Sequence, residues 1–372
     1  MKSVVFCLWI LFFVSCKTSD SAVEVKIDPQ IQKWNDSVAI LSGKNIPLKF
    51  KDSEAVQRHQ KLMLPEWEAL EMRRGELIRT WASQNLKGKY PVSVLYPFSG
   101  PDLYYSRNLF QEGKYFILFG LEASGEIPDF EKLTESELQS YLSQVRNSLS
   151  SSVNKTFFET KFMKVQLASN VKGTLPAVLT WIGVLDGKVL SLEQGGISTN
   201  GEFVVENYDL EGYKIKVEFE KTGTVTIEYY GLNVLDKVKS SALQRREAKL
   251  FQPENTICFF KSASYLMHYE KYAEPRDWLL NVCGKVLQDD TGFTFKVLKE
   301  KYQHIELFGN YREVIPLFKN RIQPDLKKEY AKEKREALPF GIGYKFRSNY
   351  SNLQFASKDP ILEGSRNQTI SK

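Results

Sequence analysis

VSVLYPFSGPDLYYSRNLFQEGKYFILFGL, residues 92–121, is the stretch that best indicates the fold class of this chain. Val92–Tyr96 has the composition of a strand, and Pro97–Asp102 that of a turn. Leu103–Phe110 fits a short helix, and Tyr115–Leu121 fits a second strand. The second strand is continuously apolar, which is typical of strands buried on both faces of a parallel sheet. The stretch therefore predicts a β-α-β unit.

A second pattern predicts an antiparallel hairpin further along the chain. Apolar and charged residues alternate over Tyr213–Phe219, and Val225, Ile227 and Tyr229 resume the alternation after Lys221-Thr222-Gly223, which forms a turn. Alternation of this kind indicates strands with one face exposed. Together the two patterns predict an α/β or α+β fold with a mixed sheet.

The region before the first strand, residues 29–88, is expected to form an N-terminal helical cap. Its first helix follows the apolar spacing of Ile31, Trp34, Val38 and Leu41, and Gly43 is placed to end it. A second helical pattern follows Pro65. Later in the chain, Thr134–Glu137 is a capping box that should begin a long helix.

The main α/β body is predicted to span residues 89–335, and residues 336–372 are predicted to be an irregular tail. Further strands are expected at Thr256–Phe260, Lys285–Leu287, Phe293–Leu298 and Ile305–Phe308. Further helices are expected near residues 158–165 and at Ser262–Tyr269 and Arg276–Val282. Leu175–Leu185 fits a helix, although Asp186-Gly187 between two apolar runs is also a hairpin signal.

The first fifteen residues have the pattern of a cleaved export signal. Lys2 precedes Val4–Val14, an apolar run of eleven residues that would be about 17 Å long as a helix. Because a bilayer core is about 30 Å thick, this run is too short to span it, and residues 1–15 are predicted to be a signal peptide. Ser15-Cys16 supplies the small residue and cysteine of a lipobox, although Phe13 replaces the usual leucine.

Cys16 is therefore the predicted site of lipid attachment, and residues 16–28 the predicted tether. Each buried methylene of an acyl chain contributes about 0.8 kcal/mol, so two or more chains anchor a protein without a transmembrane helix. The alternatives are a soluble secreted protein and a cysteine that occurs at this position by chance. Lys17 is not the aspartate that retains some lipoproteins at an inner membrane. We therefore expect the outer membrane or the cell surface of a bacterial envelope.

Composition and charge narrow the class of protein. The 372 residues are 42% hydrophobic and 26% charged, as in globular proteins. The net charge of +6 is mild, and the densest charged stretch, Asp325–Glu336, mixes both signs. A nucleic-acid-binding protein would need a basic face, so no nucleic-acid partner is expected.

Cys258 and Cys283 are the cysteines that remain after the signal and the lipidated Cys16 are set aside. An oxidising compartment allows a disulfide between them. Two buried thiols are the alternative, because spacing alone does not decide between the two states.

Polar side chains follow four of the predicted strands, where the sites of open α/β sheets form. The candidates are Asp102, Glu122, Asp289 and Asp290 as carboxylates, Ser262 and Ser264 as hydroxyls, and Lys261 as a cation. Paired carboxylates act as acid and base or bind a divalent cation. The structural alternative is that Asp102 and Ser262 cap helices and that Asp290-Thr291-Gly292 forms a turn.

His268 is a further candidate, because it would adjoin Ser264 on a helix at a spacing of four residues. Such pairs are more often structural. No nucleophile elbow, zinc-binding histidine motif, P-loop or dinucleotide-binding pattern occurs in the sequence. Asp290-Thr291-Gly292 is similar to the aspartic-protease tripeptide, but such enzymes need two copies and the chain has one. The sequence indicates no cofactor and leaves open whether a metal is bound.

Four phrases of the body resemble a family of exported bacterial proteins without an assigned activity. The phrases are YPFSGPD (Tyr96–Asp102), FGLE (Phe119–Glu122), FKSASYLMH (Phe260–His268) and QDDTG (Gln288–Gly292). The resemblance spans roughly residues 60–330 and implies a shared fold, with no catalytic role to transfer.

Two functional hypotheses follow from the sequence. The first is a lipid-anchored envelope protein with a binding or structural role, whose protein or small-molecule ligand is unknown. The second is a lipid-tethered hydrolase that uses Asp102, Glu122, Asp289 and Asp290, with or without a metal. A structure separates them by showing whether those carboxylates meet in an open pocket.

Overall fold

The computed structural model of the chain describes residues 28–86, 88–89, 92–158 and 171–359. The predictions made for the signal peptide, for Cys16 and for nearly all of the tether lie outside these ranges. Most of the helix predicted near residues 158–165 also lies outside them.

The described residues contain ten β-strands in a single mixed sheet. They are β1 (Ser93–Pro97), β2 (Tyr115–Gly120), β3 (Gly187–Ile197), β4 (Phe203–Val204), β5 (Leu210–Phe219), β6 (Gly223–Gly231), β7 (Thr256–Phe260), β8 (Lys285–Gln288), β9 (His304–Gly309) and β10 (Asn352–Ser357). Their order across the sheet is β4-β3-β5-β6-β2-β1-β7-β8-β10-β9. The mixed α/β fold class is therefore confirmed.

Ten α-helices lie within the same described ranges. They are α1 (Pro29–Ser42), α2 (Glu54–Leu70), α3 (Glu76–Asn85), α4 (Leu103–Leu109), α5 (Glu135–Lys155), α6 (Leu175–Val184), α7 (Lys237–Leu250), α8 (Ala273–Val282), α9 (Phe295–Lys301) and α10 (Pro324–Ala331). A π-helical turn, Glu71–Gly75, joins α2 to α3. None of the helices in the described part of the chain is long and apolar enough to cross a bilayer.

The centre of the sheet is parallel and its flanks are antiparallel. Strands β6, β2, β1, β7 and β8 are neighbours in that order, and each pairs in parallel with the next. The predicted β-α-β unit is confirmed as β1-α4-β2, with Ser93 opposite Tyr115. The predicted hairpin is confirmed as β5-β6, with Ile215 opposite Ile227.

The central strands are buried on both faces, as their apolarity predicts. In β1, Val94 and Tyr96 point into one hydrophobic cluster, which contains residues of α1–α6. Leu95 points into a second cluster, which contains residues of α7, α8 and α9. Helices α4 and α8 cover opposite faces of the sheet. The chain therefore proceeds from β1 to β2 in one direction across the sheet and from β7 to β8 in the other, and the winding reverses at the β1–β7 pair.

The N-terminal helices pack against one face of the sheet, in the first of these two hydrophobic clusters. Gly43 ends α1 in a left-handed conformation (φ 71°), and its amide donates to the Ile40 carbonyl over 3.2 Å, as predicted. Helix α2 begins after Ser53, whose side chain accepts a hydrogen bond from the Val56 amide. It therefore starts earlier than the pattern after Pro65 indicates, and Pro65 lies inside it.

Two later helices follow the sequence predictions closely. The capping box of Thr134 and Glu137 is formed, and the resulting helix α5 runs for 21 residues. The ambiguous stretch Leu175–Leu185 is helical, as α6, and Asp186 turns the chain into β3 with a positive φ of 56°. The alternative hairpin across Asp186-Gly187 is therefore wrong.

Two secondary-structure predictions after β7 are wrong. Phe293–Leu298 is not a strand, because the Thr294 side chain caps α9 by accepting from the Val297 amide. Ser262–Tyr269 is not an α-helix, because Ser262, Ser264 and Tyr265 have left-handed φ angles. Only a short 3₁₀ turn, Leu266–His268, forms in that segment.

The tail predicted to be irregular contributes a strand to the sheet. Strand β10 lies between β8 and β9 and is antiparallel to both. Leu353 and Phe355 bury their side chains in the cluster shared with the N-terminal helices. The sheet therefore extends beyond residue 335, where the body was predicted to end.

Candidate functional site

The carboxyl ends of β1 and β7 meet at the point where the winding of the parallel sheet reverses. Open α/β sheets bind ligands at such points, because loops from the two strands diverge and leave a crevice. A cavity of about 260 Å³ lies here, lined by residues that follow β1, β2, β6 and β7. It includes five of the sequence-predicted candidates, namely Asp102, Glu122, Lys261, Ser262 and Ser264.

A buried ion pair lies at this cavity. Asp102 Oδ2 is 2.6 Å from Lys261 Nζ, and both side chains are 2% exposed. The same oxygen accepts a hydrogen bond from the Tyr96 hydroxyl over 2.7 Å. Asp102 Oδ1 is buried and has no hydrogen-bond partner within the described ranges. Although Asp102 immediately precedes α4, its side chain does not cap that helix.

Lys261 is held by three further features. Its ammonium donates to the carbonyl of Thr156, the residue that ends α5. The nitrogen lies 4.0 Å from the centre of the Tyr105 ring. Burial lowers the pKa of Lys261, while the neighbouring Asp102 carboxylate opposes that shift. Its donors therefore point at fixed protein groups.

The polar lining also includes one further carboxylate and three serine hydroxyl groups. Glu122 follows β2 and is 7% exposed, and Ser99 follows β1. Ser264 Oγ is 2.5 Å from the Tyr344 hydroxyl. Ser262 Oγ is buried without a hydrogen-bond partner among the described residues.

Aromatic side chains form much of the wall. Five half-buried rings line the cavity: Phe98, Phe157, Phe158, Tyr272 and Tyr344. Phe157 and Tyr344 contact each other edge to face at 4.9 Å between ring centres. No local sequence pattern connects these rings, because they come from distant parts of the chain.

The backbone at this edge of the sheet is strained. Phe98, Ser262, Ser264 and Tyr265 all have positive φ angles, between 53° and 58°. Such conformations cost on the order of 1 kcal/mol or more and persist where surrounding contacts enforce them, often at functional sites. Here the Ser262 amide donates to Asp289 Oδ2 over 2.9 Å.

Asp289 therefore has a structural role outside the cavity lining. Its Oδ1 also accepts from the Thr291 amide over 2.9 Å. Burial and the adjacent Asp290 raise the pKa of Asp289 to about 6, and the amide donors oppose this shift. Asp289 therefore holds the strained backbone at Ser262 from outside the cavity lining.

Asp290 is bound by other groups and also lies outside the cavity lining. Its carboxylate accepts from Lys345 Nζ at 3.0 Å, from Asn352 Nδ2 at 2.9 Å and from the Tyr265 hydroxyl at 2.5 Å. The predicted convergence of four carboxylates in one pocket is therefore wrong for Asp289 and Asp290. Asp102 and Glu122 both line the cavity.

His268 does not form the helical pair with Ser264, because that segment is not an α-helix. Burial lowers the pKa of His268 to about 4, so the ring is neutral at pH 7. The ring packs edge to face on Tyr265 with 5.1 Å between the ring centres, and His268 is not among the described residues that line the cavity. No cluster of three metal-ligating side chains occurs in the described part of the chain.

Cys258 of β7 and Cys283, which follows α8, are joined by a disulfide with 5.7 Å between their Cα atoms. Both residues are fully buried. The bond ties the strand that leads into Lys261 to the helix covering that face.

No protein-family model, curated protein or solved structure matches this chain. The resemblance to exported bacterial proteins therefore stays a prediction, and the function has to be inferred from the cavity and its surroundings.

Proposed function

We propose that this chain is a lipid-anchored protein of the bacterial envelope that binds a small molecule in the cavity between β1 and β7. The observation that carries the proposal is a cavity at the reversal point of a parallel sheet, beside the buried Asp102–Lys261 pair. Its volume of about 260 Å³ lies near the lower end of typical ligand sites, which favours a small ligand.

The geometry favours binding over hydrolysis by a carboxylate cluster. Asp289 and Asp290 are held by amide, ammonium and hydroxyl donors. Asp102 is paired with Lys261. A carboxylate pair shares a proton or binds a metal only when both groups reach the same open space.

The disulfide between Cys258 and Cys283 supports the exported location. Disulfides persist in oxidising compartments and are rare in the cytosol. This agrees with the location that the lipobox at Phe13–Cys16 predicts.

Filling the cavity should abolish ligand binding. A set of cationic, neutral and anionic fragments is screened by ligand-observed NMR against the wild type and Ser264→Trp. Ser264 lines the cavity beside Tyr344, so an indole at this position occupies the space of a ligand. We expect some fragments to bind the wild type and lose at least about tenfold in affinity, or about 1.4 kcal/mol, in the variant.

Ser150→Trp is the matched control, because Ser150 is exposed on α5. Thermal unfolding of both variants verifies that they fold. Equal fragment binding to Ser264→Trp and Ser150→Trp, or no binding to the wild type by any fragment, would contradict the proposed function.

A further inference from the structure

A surface segment between β9 and α10 exposes two large apolar side chains. Pro316–Arg321 is a short 3₁₀ helix, and Ile322 follows it. Leu317 is 78% exposed and Ile322 is 57% exposed. Removing such side chains from water is favourable, so two of them exposed in one short segment indicate a surface that meets an apolar partner.

The same segment carries two cations. Lys319 and Arg321 lie between the two apolar residues in sequence, and Ile315–Gln323 contains no acidic residue. The Arg321 guanidinium lies 3.5 Å from the centre of the Tyr269 ring. Neither cation forms an ion pair with a described residue. Both charges are therefore available to an anionic partner.

Aromatic contacts attach the segment to the wall of the cavity. Phe318 contacts the rings of Tyr265 and Tyr344, with 4.9 Å and 5.7 Å between ring centres. Phe346 and Arg347 follow Tyr344 closely, and both are exposed. They add an apolar side chain and a cation to this part of the surface.

The neighbouring acidic residues do not cancel these cations. Asp325, the first acidic residue after the segment, pairs with Lys299 at 3.6 Å. Glu313 precedes the segment and is a single negative charge. Residues 159–170 and 360–372 lie outside the described ranges, and each contains one glutamate and two cationic residues. Because the net charge of each is positive, neither would make this surface anionic.

An anionic bilayer matches this combination of side chains. At a membrane surface, apolar side chains enter the boundary between headgroups and acyl chains, and Lys and Arg attract anionic lipids. A nucleic acid would offer phosphates without an apolar layer for Leu317 and Ile322. We infer that Pro316–Ile322 contacts the surface of an anionic lipid bilayer, with Lys319 and Arg321 facing the lipid phosphates.

The proposed lipid anchor would strengthen this contact. The predicted tether from Cys16 to Asp28 has about twelve residues, which span at most about 40 Å when extended. A body held so close to a bilayer has a high effective concentration at its surface, so a contact that is weak alone is sufficient. The contact would turn the cavity wall at Tyr344 towards the headgroups.

Vesicle binding by an unlipidated chain tests the inference. Residues 17–372 lack the predicted signal and Cys16 but retain every residue that the structure describes, so they should keep the fold. Co-sedimentation compares vesicles of equal parts phosphatidylglycerol and phosphatidylcholine with vesicles of phosphatidylcholine alone. We expect binding to the anionic vesicles to be at least about tenfold tighter, and the difference to shrink at high ionic strength, because salt screens the attraction.

A double substitution removes one apolar and one cationic contact. Leu317→Ser/Lys319→Glu should weaken binding to the anionic vesicles by about tenfold or more. Leu48→Ser/Lys51→Glu is the matched control, because Leu48 is 79% exposed and Lys51 is also exposed, in the connection between α1 and α2. Thermal unfolding verifies that both variants fold. An equal loss of vesicle binding in the two variants would overturn the inference.

An environment-sensitive dye reports insertion directly. Leu317→Cys and Leu48→Cys each add one thiol to residues 17–372, in which Cys258 and Cys283 are joined, and each thiol is labelled with nitrobenzoxadiazole. We expect anionic vesicles to raise the fluorescence of the first dye and not of the second. Equal responses, or no binding of residues 17–372 to anionic vesicles, would show that this segment is not a membrane contact. Fragment binding is measured without vesicles, so the small-molecule function is tested separately.

Discussion

At the scale of single residues, the site depends on a cation that is stabilised from several directions. Lys261 contacts the Asp102 carboxylate, the Thr156 carbonyl and the Tyr105 ring. Thr156 ends α5, so the partial negative charge at the carboxyl end of that helix also favours the ammonium. Desolvation is the main opposing effect, and it lowers the pKa of the lysine. Removing any one of these partners should therefore lower the stability of the folded protein.

Asp102→Asn should destabilise the protein by about 3 kcal/mol at pH 7, because it leaves the Lys261 ammonium buried without its counterion. The folded pKa of Lys261 already lies below its unfolded value of 10.5, and losing Asp102 lowers it further. The folded variant therefore releases a proton that the unfolded chain retains, and its stability rises with pH. Urea unfolding at pH 7 and at about pH 9.5 should show a smaller difference from wild type at the higher pH.

Glu193→Gln is the matched control for that experiment. Glu193 pairs with Lys214 at 3.0 Å, but its side chain is 41% exposed. Exposed pairs contribute about 1 kcal/mol or less, and this difference should not shrink over the same pH range. A loss of stability in Asp102→Asn no larger than in Glu193→Gln would show that the buried pair does not stabilise the fold.

The candidate residues that could be identified from the sequence are those that lie next to a recognisable local pattern. Asp102, Glu122 and Lys261 could be placed at one edge of the sheet because each follows an apolar strand that is recognisable by itself. The role of Asp290 could not be predicted, because two of its donors, Lys345 and Asn352, lie more than fifty positions away along the chain. The same holds for Tyr344, which binds Ser264 across 80 positions.

At the scale of elements, predictions succeeded where local chemistry and tertiary packing agree. Helix α5 has both a capping box and one apolar stripe. The segment after β7 has helix-forming residues, but Asp289 and Thr291 bind the amides of Ser262 and Ala263 and hold a different backbone. The apolar pattern of β10 is too short to predict a strand. The segment forms a strand because it pairs with β8 and β9.

The presence of strand β10 in the tail leads to a prediction about stability. If the tail were irregular, truncating Phe355 would cost little. Because Phe355 is fully buried in the sheet, Phe355→Ala should lower the free energy of unfolding by about 3–5 kcal/mol. Chemical denaturation followed by tryptophan fluorescence measures this loss. Phe346→Ala is the control from the same tail, since Phe346 is 38% exposed, and similar losses in both variants would contradict the burial of β10.

At the scale of the whole molecule, the site, the core and the disulfide are parts of one arrangement. The loops that follow the paired strands β1 and β7 diverge and leave the cavity between them. Helices on both faces of the sheet bury the strands that bear these loops. The disulfide joins β7 to the end of α8 on one face. The sequence predicted the mixed sheet but not its reversal point, because strand order depends on pairings between distant segments.

The proposed location predicts that membrane attachment depends on the sulfur atom of Cys16. The proposed lipid attachment requires the Cys16 thiol, so Cys16→Ser should abolish metabolic labelling by radioactive palmitate and shift the protein from the membrane to the soluble envelope fraction. The physical reason is that acyl chains provide about 0.8 kcal/mol per buried methylene, which the polar tether cannot replace. Cys7→Ser is the matched control, because Cys7 lies in the apolar run of the signal and its loss should leave labelling unchanged. Equal labelling of Cys16→Ser and the wild type would show that the anchor is elsewhere or absent.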